Sequence, residues 1–199
     1  MAVAFVAAGT WTAGTTSIAP PLPAGMAAGH LMLLAVHTPN QAVTTPSGWT
    51  QVTSSPVSTG TAGAAGGTRL TMYYRWWQSG DGAPTVAVTG GTSTQARIFG
   101  FSGVDSTTPF DATPVSNIVT PANTTLTFSS ITTTTANAMI VCMAARDVDA
   151  ASTAALSSWT NTNLTSLTER QDQTVTTGPG GGLGGATGFK ATAGATGST

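Results

Sequence analysis

An antiparallel all-β sandwich is the fold this sequence predicts, and three observations predict it. Short apolar segments rich in Val, Ile, Phe, Tyr, Trp and Thr recur along the chain, separated by stretches of Gly, Pro, Asn, Asp and Ser. No stretch carries the apolar period of an amphipathic helix of useful length. A chain of 199 residues lies in the range where a sandwich or barrel folds as one unit, so residues 1–199 are expected to form a single domain.

Each element has its own justification. The N-terminal AVAFVAA predicts a strand over 2–8, and LMLLAVH at 31–37 is apolar without alternation, as a central strand covered on both faces must be. A strand over 49–54 follows the turn residues Ser47 and Gly48. In TRLTMYYRWWQ, over 68–78, Leu70, Met72, Tyr74 and Trp76 share one face, and Thr71, Tyr73, Arg75 and Trp77 the other. Apolar residues on both sides mean that both faces are partly covered. Strands are also expected at 84–89, 95–102, 125–131 and 165–170, and AMIVCMAAR at 138–146 predicts a second fully covered strand. The glycine run GPGGGLGG at 178–185 lacks the Lys-Ser/Thr ending of a phosphate loop and reads as a flexible loop.

A weak internal repeat orders these elements. LMLLAVH, SGWTQVTSS and the strand from Thr68 are matched by AMIVCMAAR, SSWTNTNLT and GATGFKATAG. Two copies of one strand order predict a jelly roll built from two Greek-key halves. Trp49 and Trp159 hold corresponding places and are expected to be core plugs at strand starts. The first half continues into PTVAVT and QARIFGFS, which have no counterpart in the second, so one sheet edge is expected to be covered by a neighbouring subunit or by AVAFVAA.

Composition excludes several functions. Only thirteen side chains are formally charged, six basic and seven acidic, and a net charge of −1 provides no footprint for nucleic acid or an anionic membrane. No run of 18 apolar residues and no secretory leader is visible, so neither membrane nor export partners are expected. The sequons at Asn123 and Asn163 are what a Thr-rich chain produces by chance. The lone Cys142 reads as a small buried hydrophobe.

The ionisable residues are too scattered to assemble chemistry. His30 and His37 are seven residues apart, so they fall on opposite faces of a strand and cannot share a metal; His37 reads as a strand-end residue. Asp147 and Asp149 offer two carboxylates toward Ca²⁺, but such a site needs six to eight oxygen ligands and the neighbouring residues add little beyond backbone carbonyls, so a polar loop with Arg146 as charge partner is the simpler reading. Asp81 reads as a turn residue. The 17 serines and 40 threonines include no G-x-S-x-G elbow, so neither an enzymatic site nor a cofactor is expected. Tyr73, Trp76 and Trp77 are the candidate surface, either an intersubunit contact or a platform for stacking glycans.

The run QARIFGFSGVDSTTPFDATP, Gln95 to Pro114, resembles a segment of small β-sandwich proteins from tailed-phage genomes, in which an apolar strand leads into G-V-D, a spacer and P-F/I-D-A. The upstream TTPSGWTQV, the strand ending YYRWW and the glycine-rich run followed by an alternating strand fit the same pattern, which covers most of the chain. These motifs mark turns and carry no catalytic residues. Such relatives would finish on a further apolar strand, whereas this sequence ends at Thr199. The resemblance implies a non-enzymatic virion protein made in the host cytoplasm. It would decorate or cement the capsid exterior through the major capsid protein or other virion subunits, as a homo-oligomer, a trimer by analogy. The alternative it implies is a carbohydrate-binding or receptor-binding tail or fibre protein.

Overall fold

The computed structural model describes residues 2–119, 125–148 and 155–199. They contain no helix. The strands are β1 (Ala4–Ala8), β2 (Thr12–Gly14), β3 (Ser17–Ile18), β4 (Leu31–Thr38), β5 (Val43–Thr44), β6 (Thr50–Gln51), β7 (Val57–Thr59) and β8 (Thr68–Trp76). They continue with β9 (Val86–Val88), β10 (Thr94–Ser102), β11 (Thr132–Thr133), β12 (Ala138–Arg146), β13 (Thr165–Val175), β14 (Gly181–Lys190) and β15 (Gly194–Ala195). All described pairings are antiparallel, so the all-β antiparallel fold read from the sequence is the fold the chain adopts.

The strands stack in layers. A main sheet runs β1-β10-β4-β8-β6, with β2 also beside β10 and β7 beside β8. A small sheet, β3-β9-β5, covers one side of it, and a second sheet, β12-β14-β13, covers the other. The outer side of the second sheet carries the β11-β15 ribbon.

All eight residues of β4 are buried because it has a layer on each side. Met32, Leu34 and Val36 pack with Ile18, Trp49, Tyr73, Val86, Ala96 and Ile98 toward the small sheet. Leu31, Leu33 and Ala35 pack with Leu70, Phe99, Phe101 and Leu183 toward the second sheet. Leu34 is 0% exposed, so Leu34→Ala removes its methyl groups from a closed site and leaves a cavity. We expect a loss of about 2–5 kcal/mol, read as a lower urea midpoint at unchanged m.

The glycine run corrects an expectation. From Gly181 it is the central strand of the second sheet, not a loop, and its first eight residues are buried. Composition misleads here because other residues' side chains fill the space above the glycines. A Cβ at Gly184 would lie 2.5 Å from Leu156 Cδ1, so the strand is flat to let its cover descend.

The segment expected as a strand at 125–131 forms none. Phe128 and Thr199 instead exchange backbone hydrogen bonds at 2.9 and 3.3 Å, and Thr196 N donates to Ile131 O at 2.8 Å. This pairing leads into the ribbon and lays Phe128 and Ile131 on Ile140, Cys142 and Leu164. Trp159 joins them, its ring 5.5 Å from that of Phe128.

The two halves share a spatial order. β4 pairs with β8 and β6 lies beyond it; β12 pairs with β14 and β13 lies beyond it. The jelly-roll winding remains an expectation beside this order. The N-terminal strand lies elsewhere than on the edge the repeat leaves open: β1 pairs with β10 in the main sheet. Phe5 meets Phe101 edge-on at 5.8 Å and lies under the Arg170 guanidinium at 4.0 Å, contacts that only that position offers.

Candidate functional site

The three aromatics expected to form one surface do not do so. Tyr73 is 0% exposed, inside the cluster facing the small sheet, and its hydroxyl donates to Val43 O at 3.3 Å. Its place on a binding surface is therefore withdrawn: the short strands of the small sheet cover it. Trp76 and Trp77 are half-buried on opposite sides of the main sheet, Trp76 toward the second sheet and Trp77 toward the small one.

The remaining ionisable candidates serve the fold. His30 precedes β4, and its Nδ1 accepts from Ala27 N at 3.1 Å. His37 is 0% exposed and bonded to Gln95 and Thr68, both at 3.1 Å. Asp81 caps Gln78 N at 2.8 Å and pairs with Arg75 at 2.5 Å, the one ion pair among the described residues. Arg146 donates to Ala155 O at 2.9 Å rather than pairing with Asp147, which is exposed. Asp149 and Asn123 lie outside the described residues. Among the described residues no three of His, Cys, Asp and Glu gather as a metal site would require. Cys142 is buried, and that burial pushes its thiol up to about 11, which keeps it protonated and unreactive at neutral pH.

The segment between β10 and β11 shows what its carboxylates do. Asp105 Oδ1 accepts from Thr107 N at 2.8 Å, Thr107 Oγ1 at 2.6 Å and Thr108 N at 2.9 Å, which holds its carboxyl far below the usual range. Phe110 packs edge-on against Tyr74 at 5.2 Å. Asp111 then reaches across to the turn between β11 and β12, accepting from Thr134 N and Thr134 Oγ1, both at 2.7 Å, and from Thr135 N at 3.3 Å. Partial desolvation opposes ionisation, but these bonds outweigh it and lower the carboxyl below its usual value. Asp111→Ala frees three donors near the surface, where water replaces part of what is lost. We expect about 1 kcal/mol, with faster amide exchange at Thr134 and Thr135.

Asp111 also lines an open cleft beside β12. The cleft, of about 2030 Å³, runs along this strand. Its floor is the main sheet at Leu33, Leu70 and Met72; β12 forms one wall, and the chain through Phe110, Val115 and Ile118 forms the other. Val115, Ile118 and Val148 are exposed by 55%, 48% and 45%, and all three line this cleft.

No known protein family, curated protein or solved structure matches the chain.

The lining of the cleft mixes the apolar side chains of β12 and the main sheet with many serines and threonines, and Asp105, Asp111, Arg146 and Asp147 are the charged residues among them. That arrangement suits the burial of another polypeptide better than the turnover of a small polar molecule. The sequence signals for it were the unalternating AMIVCMAAR and the missing counterpart to QARIFGFS; Val115 and Ile118 carried no signal of their own.

Proposed function

We propose that this chain is a non-enzymatic structural subunit of a bacteriophage particle, bound to the capsid exterior as a decoration or cementing protein. The observation that carries the reading is the use made of the few ionisable groups. Asp105 and Asp111 hold turns, Arg75 and Asp81 tie a loop, and His37 sits bonded between the layers. Arg97 joins the two large sheets by donating to Gly9 O at 2.7 Å, Arg170 O at 3.0 Å and Gln171 Oε1 at 2.8 Å. A chain that uses its charges in this way is built to keep a shape. The resemblance of Gln95–Pro114 to phage sandwich proteins supports the particle as its setting.

The mechanism is burial of apolar and strand-pairing surface against the major capsid protein or other virion subunits, repeated over many copies so that weak contacts sum. The subunit acts as a homo-oligomer, a trimer in the leading form. Mass spectrometry and cryo-EM of purified native particles test this. Stoichiometric density on the head exterior is expected; particles lacking the chain would overturn the proposal.

The glycan-binding alternative has lost Tyr73 and rests on Trp76 and Trp77. On a glycan array we expect background signal from both the natural chain and Trp77→Ala. Recognition of one sugar class that Trp77→Ala abolishes would replace the decoration reading with an adhesin.

A further inference from the structure

Among the described residues, β12 presents a long sheet edge that carries none of the usual protections. It pairs with β14 across nine residues without a register shift, from Ala138↔Lys190 to Arg146↔Gly182, and no described group bonds its other side. Residues 138–145 contain no charge and no proline. The other edges differ. β13 is bulged twice, carries Glu169 and Asp172, and has its Arg170 carbonyl capped by Arg97 at 3.0 Å. The borders of the main sheet are divided into short strands, β1 with β2 and β6 with β7, and β1 is bulged between Phe5 and Ala7. A long, regular, uncharged edge is a template for another strand.

We propose that the β12 edge is a docking site for an extended, uncharged segment of a partner polypeptide, which adds antiparallel to β12 as a fourth strand of the second sheet. The chain supplies the template for this geometry. β4, the counterpart of β12, is paired by β8 on one side and by β10 on the other, with Gln95–Phe101 against Leu31–His37. Among the described residues the second sheet has the equivalent of the first pairing and lacks the second. The space left is sized for a strand. At about 2030 Å³ it is roughly twice the upper limit of ordinary small-molecule pockets, about 1,000 Å³, and it follows β12 along its whole length.

A nine-residue strand is about 30 Å long. Seated there, its alternate side chains would descend onto Leu70 and Met72 beside the half-buried Met139, Val141 and Met143, and Val115 and Ile118 would close over it. Covered on three sides it would bury on the order of 1,000 Å², the lower limit of specific interfaces. Backbone pairing supplies affinity, and the alternate pockets select apolar residues. An uncharged segment fits the stretch along residues 138–145, which offers no counter-charge; the charged residues that line the cleft, Asp105, Asp111, Arg146 and Asp147, lie outside that stretch. The site does not depend on the virion reading, since it follows from the sheet edge alone.

The probe is a capped synthetic peptide with the sequence of Thr94–Ser102, the strand that fills the corresponding place beside β4, carrying Arg97→Gln so that it is uncharged. Amide hydrogen exchange is followed residue by residue in the full chain. Without peptide, the β12 amides that point away from β14 are expected to exchange fast while their alternate neighbours stay protected. Peptide at roughly micromolar to tens-of-micromolar concentration should protect them saturably, and Ile118→Ser, at the exposed rim, should weaken this about threefold without altering the free protein's melting. Edge amides already protected in dilute protein would show that the chain covers its own edge and would overturn the proposal. Protection that grows with protein concentration alone would assign the edge to a second copy instead. Absence of protection at about 1 mM peptide, or protection confined to other strands, would equally overturn it.

Discussion

Gly181→Ala is expected to cost about 3 kcal/mol or more, although it adds only one methyl group. Gly181 opens β14 with φ of 130°, in the region that favours glycine. A Cβ there would lie 2.1 Å from His37 Cε1 and 2.9 Å from the Arg146 carbonyl oxygen. Neither neighbour can retreat. The His37 ring is held by Gln95 and Thr68, and the carbonyl belongs to the β12 ladder. Backbone strain and overpacking therefore add, each on the order of 1–3 kcal/mol. Gly29→Ala separates the two: its φ is 81° but nothing lies within 4 Å of its Cβ position, so only strain remains, about 1 kcal/mol. Gly82, with open space and no such φ, should tolerate alanine within about 0.5 kcal/mol. Urea midpoints at constant m measure all three. Equal losses at Gly181 and Gly29 would show that the layers are not in close contact at His37.

Acidification is expected to remove roughly 3 kcal/mol of stability between about pH 6.5 and pH 4. Burial lowers the His37 pKa from 6.5 to about 4. Between these values the unfolded chain binds the proton and the folded chain does not, so stability is full above the upper value and falls as pH drops toward the lower. Geometry explains why the folded state refuses the proton. Gln95 Oε1 accepts from Trp11 Nε1 at 3.1 Å, which turns the Gln95 amide nitrogen toward Gly181 O at 2.9 Å and His37 Nδ1 at 3.1 Å. His37 Nδ1 must accept, and its Nε2 donates to Thr68 Oγ1 at 3.1 Å. A proton on Nδ1 would face a donor inside a dry layer. Asp105 and Asp111, whose pKa values are lowered, bring their own losses only at still lower pH. His37→Gln should flatten the pH dependence while lowering stability at neutral pH. Equal urea midpoints for the natural chain at pH 7 and pH 4.5 would refute the buried neutral ring.

The pattern of residues made β4 and β8 legible for different reasons. Every side chain of LMLLAV is one that avoids water, so burial on both faces followed directly. TRLTMYYRW alternates, and its two faces are the two faces of the main sheet. The carboxylates of GVD and PFD were legible as turn residues, and they bind threonine donors in those turns. GATGFK was legible as a strand through its match to the strand from Thr68, but GGLGG was not, because glycine has no side chain to display a period. What makes it a strand is Leu156, His37 and Arg146 pressing on its backbone, and these residues are distant in sequence.

Tyr73 marks the same boundary at one residue. Alternation assigned its face, but its burial depends on β3, β5 and β9, strands of two or three residues that are too short to show any period. The open edge was half legible: the repeat exposed a missing strand, yet the contact of Phe5 with Phe101 decided that the N-terminus lies beside β10. By itself the sequence determined an antiparallel β architecture, the fully covered β4 and the acidic residues that hold its turns; AMIVCMAAR, expected to be covered in the same way, is instead an outer strand whose alternate residues are half-buried, because unalternating apolar residues do not tell a central strand from an edge. Only the tertiary structure decided which sheet covers which face, and that among the described residues nothing pairs with the outer edge of β12, beside a cleft. The reason is physical: side-chain alternation is a property of neighbouring residues, whereas strand pairing is a competition among segments far apart, settled by how their side chains pack.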